Sequence, residues 1–153
     1  MLCPISSNLV FNRNTIQDCR CGKFIFVIIT STFVENFVIE DCTFKHNLFN
    51  NPVNSEDGGG SGIWIANDKL KIPQGSHTKI QFTNCHWLEN QASTVGGAFA
   101  YGRSQTIVNT AITFYDCKFT DNTAKNKEGG ALWIATAVPF LVENCLFTRN
   151  KAK

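Results

Sequence analysis

Charge of one sign, helical periodicity, long apolar runs and metal-type cysteine spacings are all scarce in this sequence, and each shortage removes a class of protein. Over 153 residues, 14 Lys and Arg stand against 12 Asp and Glu, a formal net charge of +2, and the basic residues are scattered singly. That balance leaves no electrostatic footprint for nucleic acid or an acidic lipid surface. No stretch carries apolar residues at helical spacing with matching caps. The apolar run Phe24 to Ile29 is far too short to span a bilayer. The opening MLCPISSNLVFNRN has no basic region followed by an apolar one, so no export signal is read there. Zinc spacings of the C-x2-C type are missing, since Cys19 and Cys21 have one residue between them. GGGSG at 58–62 lacks the Lys of a phosphate-cradling loop, and there is neither a GxSxG nor an N-x-S/T sequence. With 43% hydrophobic and 17% charged residues, the chain is nonetheless in the range of packed proteins, not disordered ones.

What the sequence has instead is repetition. Taking Cys117 as an origin, four further copies of one pattern are read, with origins at Leu9, Cys42, Cys85 and Cys145. Two residues after each origin stands an aromatic (Phe11, Phe44, Trp87, Phe119, Phe147), and five after it an asparagine (Asn14, Asn47, Asn90, Asn122, Asn150). One residue before it stands Asn or Asp: Asn8, Asp41, Asn84, Asp116 and Asn144. A second block, GGAF at 96–99 and GGAL at 129–132, follows the first, with GSGI at 60–63 and CGKF at 21–24 as weaker versions. Self-similarity with a period of roughly 30 to 40 residues is the mark of a solenoid or propeller.

Local patterning makes the copies all-β. Ile112 and Phe114 share one strand face, while Cys117 and Phe119 are out of phase with them by one residue, so the chain must bend between the two pairs. Asp116 and its counterparts sit at the bend, and Asn and Asp are the non-glycine residues that most readily enter the left-handed region. Two short strands meeting at an Asx corner, with a third strand from the GGAL block, would close one coil. The expected fold is a right-handed parallel β-helix, a pectin-lyase-like solenoid of about four to five coils, spanning 1–153 as a single segment. In it the aromatics stack in the core and the asparagines pass amide hydrogen bonds from rung to rung. A β-propeller is the rival, disfavoured because two-residue Asn-Gly hairpin turns are missing. As the chain opens inside one copy and stops just after Asn150 in another, a piece of a longer solenoid is expected.

GGAF and GGAL, with FNRN, FKHN, WLEN, FTDN and FTRN, resemble the paired GGA[ILV] and FxxN repeats of the polymorphic outer-membrane protein family over nearly the whole chain. The resemblance implies a surface-exposed or secreted β-helical passenger acting in adhesion, with a host-cell or surface glycan or protein as partner. The chain departs from that family in showing neither a signal peptide nor a membrane barrel.

Candidate chemistry is sparse. Cys42, Cys85, Cys117 and Cys145, one per copy among seven cysteines, read as small buried thiols, with metal binding or a cross-link between rungs as the alternative. Asp41 and Asp116 read as corners. Glu89 and Asp121, one rung apart, come closest to the carboxyl pair of a glycosidase, but read better as a solvated face beside His46 and Arg149. Trp64 and Trp133 share a slot after the glycine block; alternation with Ile63, Ile65, Leu132 and Ile134 points them outward as flat surfaces for a sugar, and the opposite phase makes them core. His77 and His86 lack ligand-spaced partners. The expectation is therefore a non-catalytic structural and binding segment without metal or cofactor, whose loops at 48–60 and 67–76 and outer faces carry any contacts. The alternative is part of a polysaccharide-degrading enzyme on the same fold.

Overall fold

The computed structural model describes residues 7–21, 26–29, 34–50, 63–66, 77–101, 110–134 and 138–153. Among these residues there is no helix, and every strand pairing is parallel. Ser7–Asn12, Val34–Glu40, Thr78–Thr83, Thr110–Tyr115 and Phe140–Glu143 form the first sheet. Thr15–Gln17, Thr43–Lys45, His86–Leu88, Lys118–Thr120 and Leu146–Thr148 form the second. Arg20–Cys21, Leu48–Phe49, Gln91–Ala92, Thr123–Ala124 and Lys151–Ala152 form the third. The chain thus passes through the same three sheets in the same order five times; each passage is a rung, numbered one to five. Phe26–Ile29 pairs with Ile63–Ala66, and Phe99–Tyr101 with Leu132–Ile134, in two further two-stranded sheets. Parallel neighbours cannot be joined by a tight hairpin, so strands adjacent in sequence must lie in different sheets.

Two corners separate the three sheets, and both are built from left-handed backbone. Asp41, Asn84, Asp116 and Asn144 hold φ between 50° and 54° at the first, as the Asx pattern predicts. Five residues on, His46, Glu89, Asp121 and Arg149 hold φ of 53° to 55° at a second corner that residue type does not announce. In rung one the corner residues are Arg13 and Asp18.

Those corners correct the alignment of the first copy. Leu9 pairs with Phe37 and Phe11 with Ile39, while Ile16 pairs with Phe44. The origin of rung one is therefore Asn14, five residues beyond Leu9. Asn8 lies inside a strand, Phe11 belongs to the first sheet, and Asn14 stands in the cysteine column. The aromatic and asparagine slots of this rung hold Ile16 and Cys19. The pattern FNRN imitates FxxN at the wrong register, and the spacing of the two corners overrides it. A second correction concerns the strands: the third strand of each rung is the two-residue segment after the second corner, and the GGA block supplies a fourth.

The core lies between the sheets. Phe37 and Ile39, Ile80 and Phe82, and Ile112 and Phe114 face it from the first sheet, Phe44, Trp87 and Phe119 from the second, and Phe99 and Tyr101 from the GGA block, all fully buried. Phe44, Trp87, Phe119 and Phe147 stack nearly parallel at successive centroid distances of 5.1, 4.6 and 4.7 Å. That is the separation of neighbouring strands, so in-register pairing alone places one ring over the next. Phe82 stacks on Phe114 at 4.8 Å and meets Trp87 edge-on at 5.2 Å.

The asparagine column is closed on itself. Asn47 Nδ2 donates to Asn90 Oδ1 at 2.9 Å, Asn90 Nδ2 to Asn122 Oδ1 at 3.0 Å, and Asn122 Nδ2 to Asn150 Oδ1 at 2.9 Å. Each amide also donates to the carbonyl of the aromatic-slot residue one rung back: Ile16, Phe44, Trp87 and Phe119. Each Oδ1 accepts in addition a main-chain N–H from the preceding rung, beginning with Cys19. These are the backbone groups that the second corner takes out of the sheet ladder, and in a buried setting they must find partners.

The paired glycines have separate reasons. Gly96 and Gly129 hold φ of 61° and 73°. Gly97 is needed for closeness: a Cβ there would lie 2.6 Å from the backbone of Thr123 on the next rung, and one at Gly130 would lie 2.6 Å from that of Lys151.

Candidate functional site: a charged corner groove

The second corner brings one ionisable side chain per rung into a single column: Asp18, His46, Glu89, Asp121, Arg149. Main-chain bonds from each corner N–H to the strand of the next rung hold the column in register, at 3.2 Å for Asp18, 3.0 Å for His46, and 2.9 Å for Glu89 and Asp121. A cavity of about 560 Å³ runs beside it, lined by Asp18, Arg20, His46, Glu89, Gln91 and Asp121 among others.

Within the groove the charges engage one another. His46 Nδ1 lies 3.4 Å from Asp18 Oδ1 and its Nε2 3.3 Å from Glu89 Oε2, so one imidazole bridges the carboxylates of the rungs on either side. Arg149 grips Asp121 through two parallel bonds, Nε to Oδ1 at 2.8 Å and a terminal nitrogen to Oδ2 at 2.6 Å. The guanidinium holds the Asp121 carboxyl below its usual range. Glu89 and Asp121 are thus brought together as expected of neighbours one rung apart, each already engaged by a cation or an imidazole. Chemically the groove offers hydrogen-bonding groups of both signs along an extended line, a surface suited to a polyhydroxylated or polar chain laid across the rungs.

Cys42, Cys85 and Cys117 are buried and Cys145 is half-buried, all as free thiols. Each S–H donates to carbonyls beside the first corner: Cys85 Sγ to Thr83 O at 3.3 Å and Ile39 O at 3.4 Å, Cys117 Sγ to Tyr115 O at 3.2 Å, Cys145 Sγ to Glu143 O at 3.3 Å. Contact with the Cys85 thiol, and then burial, pushes the Cys117 thiol up, and burial does the same for Cys42. Cys42 and Cys117 are thus protonated packing groups, while the hydrogen bond with the Cys117 thiol draws the Cys85 thiol below its ordinary value. Among the described residues no cluster of three or more His, Cys, Asp or Glu is arranged to hold a metal ion.

Asp41, Asp116, Asn84 and Asn144 line the first corner, where Asn84 Nδ2 donates to Asp41 Oδ1 at 2.7 Å. Trp133 is partly buried beside Ala100, which is fully buried, while Leu132 and Ile134 pack on the core. The side chain of Trp64 and the segments 51–62 and 67–76 lie outside the described residues. His77 is exposed; His86 is half-buried, and burial together with Lys118 lowers its pKa. The second corner was missed in the sequence because His, Glu, Asp and Arg share no type; the recurrence of a charged or imidazole residue four positions after each cysteine is the signal that could have found it.

Among the described residues no helix is long and apolar enough to cross a membrane. Compared with protein-family models, curated proteins and solved structures, the chain has no significant match.

Proposed function

We propose that the chain is a segment of a right-handed parallel β-helix that works as a non-catalytic structural and binding element of a surface or secreted adhesin-like protein, similar to the polymorphic outer-membrane proteins. The observation that carries this reading is the fivefold passage through the same three parallel sheets, with the asparagine and aromatic columns running unbroken from rung two to rung five. Handedness follows the crossover rule for parallel strands. Architecture of this kind is a rigid rod, and its functional contacts belong to side chains displayed in rows on its outside. The second-corner groove is the best such row, and a glycan or an extended polar segment of a partner protein is its natural occupant.

A polysaccharide-degrading enzyme is the second reading, favoured by Glu89 and Asp121 lining one groove. Glycoside hydrolysis needs one carboxyl held protonated as the general acid. Asp121 is tuned away from that role, and both of its oxygens are occupied by the Arg149 guanidinium, which leaves neither free to attack or to activate water. A glycan-array and cell-binding screen, run beside a reducing-sugar release assay on pectin and related polymers, separates the two. Binding that Arg20→Ala and Gln91→Ala weaken, without sugar release, is the expected result. Sugar release abolished by Glu89→Gln or Asp121→Asn would overturn the non-catalytic reading.

A further inference from the structure

Cys85 and Cys117 directly follow the exposed corner residues Asn84 and Asp116, and both are fully buried. Strand register sets the two cysteines opposite each other. His86 pairs with Lys118, and the bonds from Asn84 N–H to Tyr115 O and from Lys118 N–H to Cys85 O, both 2.9 Å, bracket them. Neighbouring strands lie about 4.8 Å apart, inside the Cα range of about 4.4–6.8 Å that a disulfide spans. The two thiols are in hydrogen-bonding contact, with Cys117 as donor to the Cys85 sulfur. Other neighbours in the column meet differently: Cys145 Sγ accepts the Cys117 main-chain N–H at 3.4 Å, and Cys42 Sγ turns to Glu40 O at 3.1 Å.

We infer that Cys85 and Cys117 form a redox-responsive pair, closed by a hydroperoxide into a disulfide that staples rung three to rung four. The direction of the contact assigns the roles. The Cys117 proton stabilises a Cys85 thiolate while its own sulfur stays protonated, so Cys85 attacks and Cys117 resolves. In the first step the Cys85 thiolate attacks one oxygen of hydrogen peroxide; an S–O bond forms, the O–O bond breaks, hydroxide leaves, and Cys85 becomes a sulfenic acid. In the second, Cys117 attacks the Cys85 sulfur; an S–S bond forms, the S–O bond breaks, and the Cys117 proton leaves with the hydroxyl as water. The proton first lost by Cys85 neutralises the hydroxide, so two thiols and one peroxide give one disulfide and two waters. Burial selects the oxidant, because peroxide is little larger than water and reaches sulfurs one residue beneath an exposed corner, where a peptide disulfide does not fit. Stacked side chains keep their Cβ atoms near the strand spacing, wider than the about 3.5–4.5 Å of a relaxed disulfide, so the bond is strained and readily reduced. The staple is therefore reversible. It does not depend on what the groove binds.

Peptide mapping tests it, since each of the seven cysteines falls on its own tryptic peptide, Cys85 on 80–103 and Cys117 on 104–118. The folded 153-residue chain is treated with hydrogen peroxide, remaining thiols are alkylated in denaturant, and the digest is run without reductant. The expected product is 80–103 joined to 104–118, formed ahead of any other cysteine pair and lost when the oxidised chain is treated with dithiothreitol before alkylation. In Cys117→Ser, Cys85 stops at the sulfenic acid and is labelled by dimedone; in Cys85→Ser, Cys117 stays a free thiol. Three results overturn the proposal: no link between these two peptides, an equally abundant link of Cys85 to Cys42 or of Cys117 to Cys145, or dimedone labelling of Cys117 in Cys85→Ser as strong as that of Cys85 in Cys117→Ser. The wild-type map requires neither variant, so it decides the pairing even if one of them fails to fold.

Discussion

Asn122 uses all of its hydrogen-bonding capacity inside the protein. Its amide donates to Asn150 Oδ1 and Trp87 O, and its carbonyl accepts two bonds from Asn90. Leucine is close in size and can make none of them, so Asn122→Leu strands a buried carbonyl and a buried N–H, each costing about 1–3 kcal/mol. A clear fall in the urea midpoint is expected, and an unchanged midpoint refutes the ladder as a source of stability. Trp87 poses the opposite case. Its ring fills the aromatic column, yet its indole Nε1 is buried without a partner among the described residues. Trp87→Phe trades a small cavity against relief of that donor, whereas Trp87→Ala forfeits the ring stack, a loss of about 3–5 kcal/mol. Equilibrium denaturation should find the Phe variant within about 1 kcal/mol of wild type, since a lost donor penalty of ~1–3 kcal/mol offsets the missing volume. Comparable losses in both variants would show that the indole N–H is not penalised. Residue identities of this sort were legible in the sequence wherever one slot kept one type: the asparagines at 47, 90, 122 and 150, and the aromatics at 44, 87, 119 and 147. They were illegible in rung one, where Ile16 and Cys19 stand in those slots and Phe11 with Asn14 counterfeit them.

At the level of the element, two features set the path of each rung: a pair of left-handed corners and a glycine pressed against its neighbour. The first corner was readable because Asp41, Asn84, Asp116 and Asn144 are residues that tolerate positive φ. The second was not, because His46, Glu89 and Arg149 adopt that conformation under the pull of in-register pairing on both sides and not through propensity. The third-sheet strands escaped for a related reason: two residues such as Gln91–Ala92 are too few for an alternating pattern to register. Gly97 supplies the sharpest test of the path itself. An added methyl meets the backbone of Thr123, which cannot rotate away. Gly97→Ala should therefore cost about 1–3 kcal/mol or more from overpacking, and thermal melting should show a far larger loss than for Ser93→Ala, a half-buried position just before the block. Equal melting temperatures would mean the block has room to shift.

For the molecule as a whole, the link between rungs four and five is electrostatic as well as apolar. Arg149 depresses the folded-state pKa of Asp121 relative to the unfolded chain, where an aspartate titrates near 3.9. The pair therefore contributes fully above that value, and the contribution is lost as pH falls through the depressed one. Arg149→Ala removes the cause, so the drop in melting temperature between pH 6 and pH 2 should be smaller in the variant than in the wild type. The same drop in both would show the exposed pair to be screened into irrelevance.

The constant distance between the two corners has a consequence for how such a chain can change length. Corresponding asparagines lie 43, 32 and 28 residues apart, while the two corners are five residues apart in every rung. Length is thus free in one part of the repeat and frozen in the other. One extra residue between Asp116 and Asp121 would swing Asn122 out of its column and turn Phe119 away from the core, but a dozen extra residues between one rung's GGA block and the next rung's first strand leave every column aligned. The repeat behaves as a line of verse does, with a fixed stress pattern and a flexible pause, and surface novelty can accumulate in the pauses without the metre being lost.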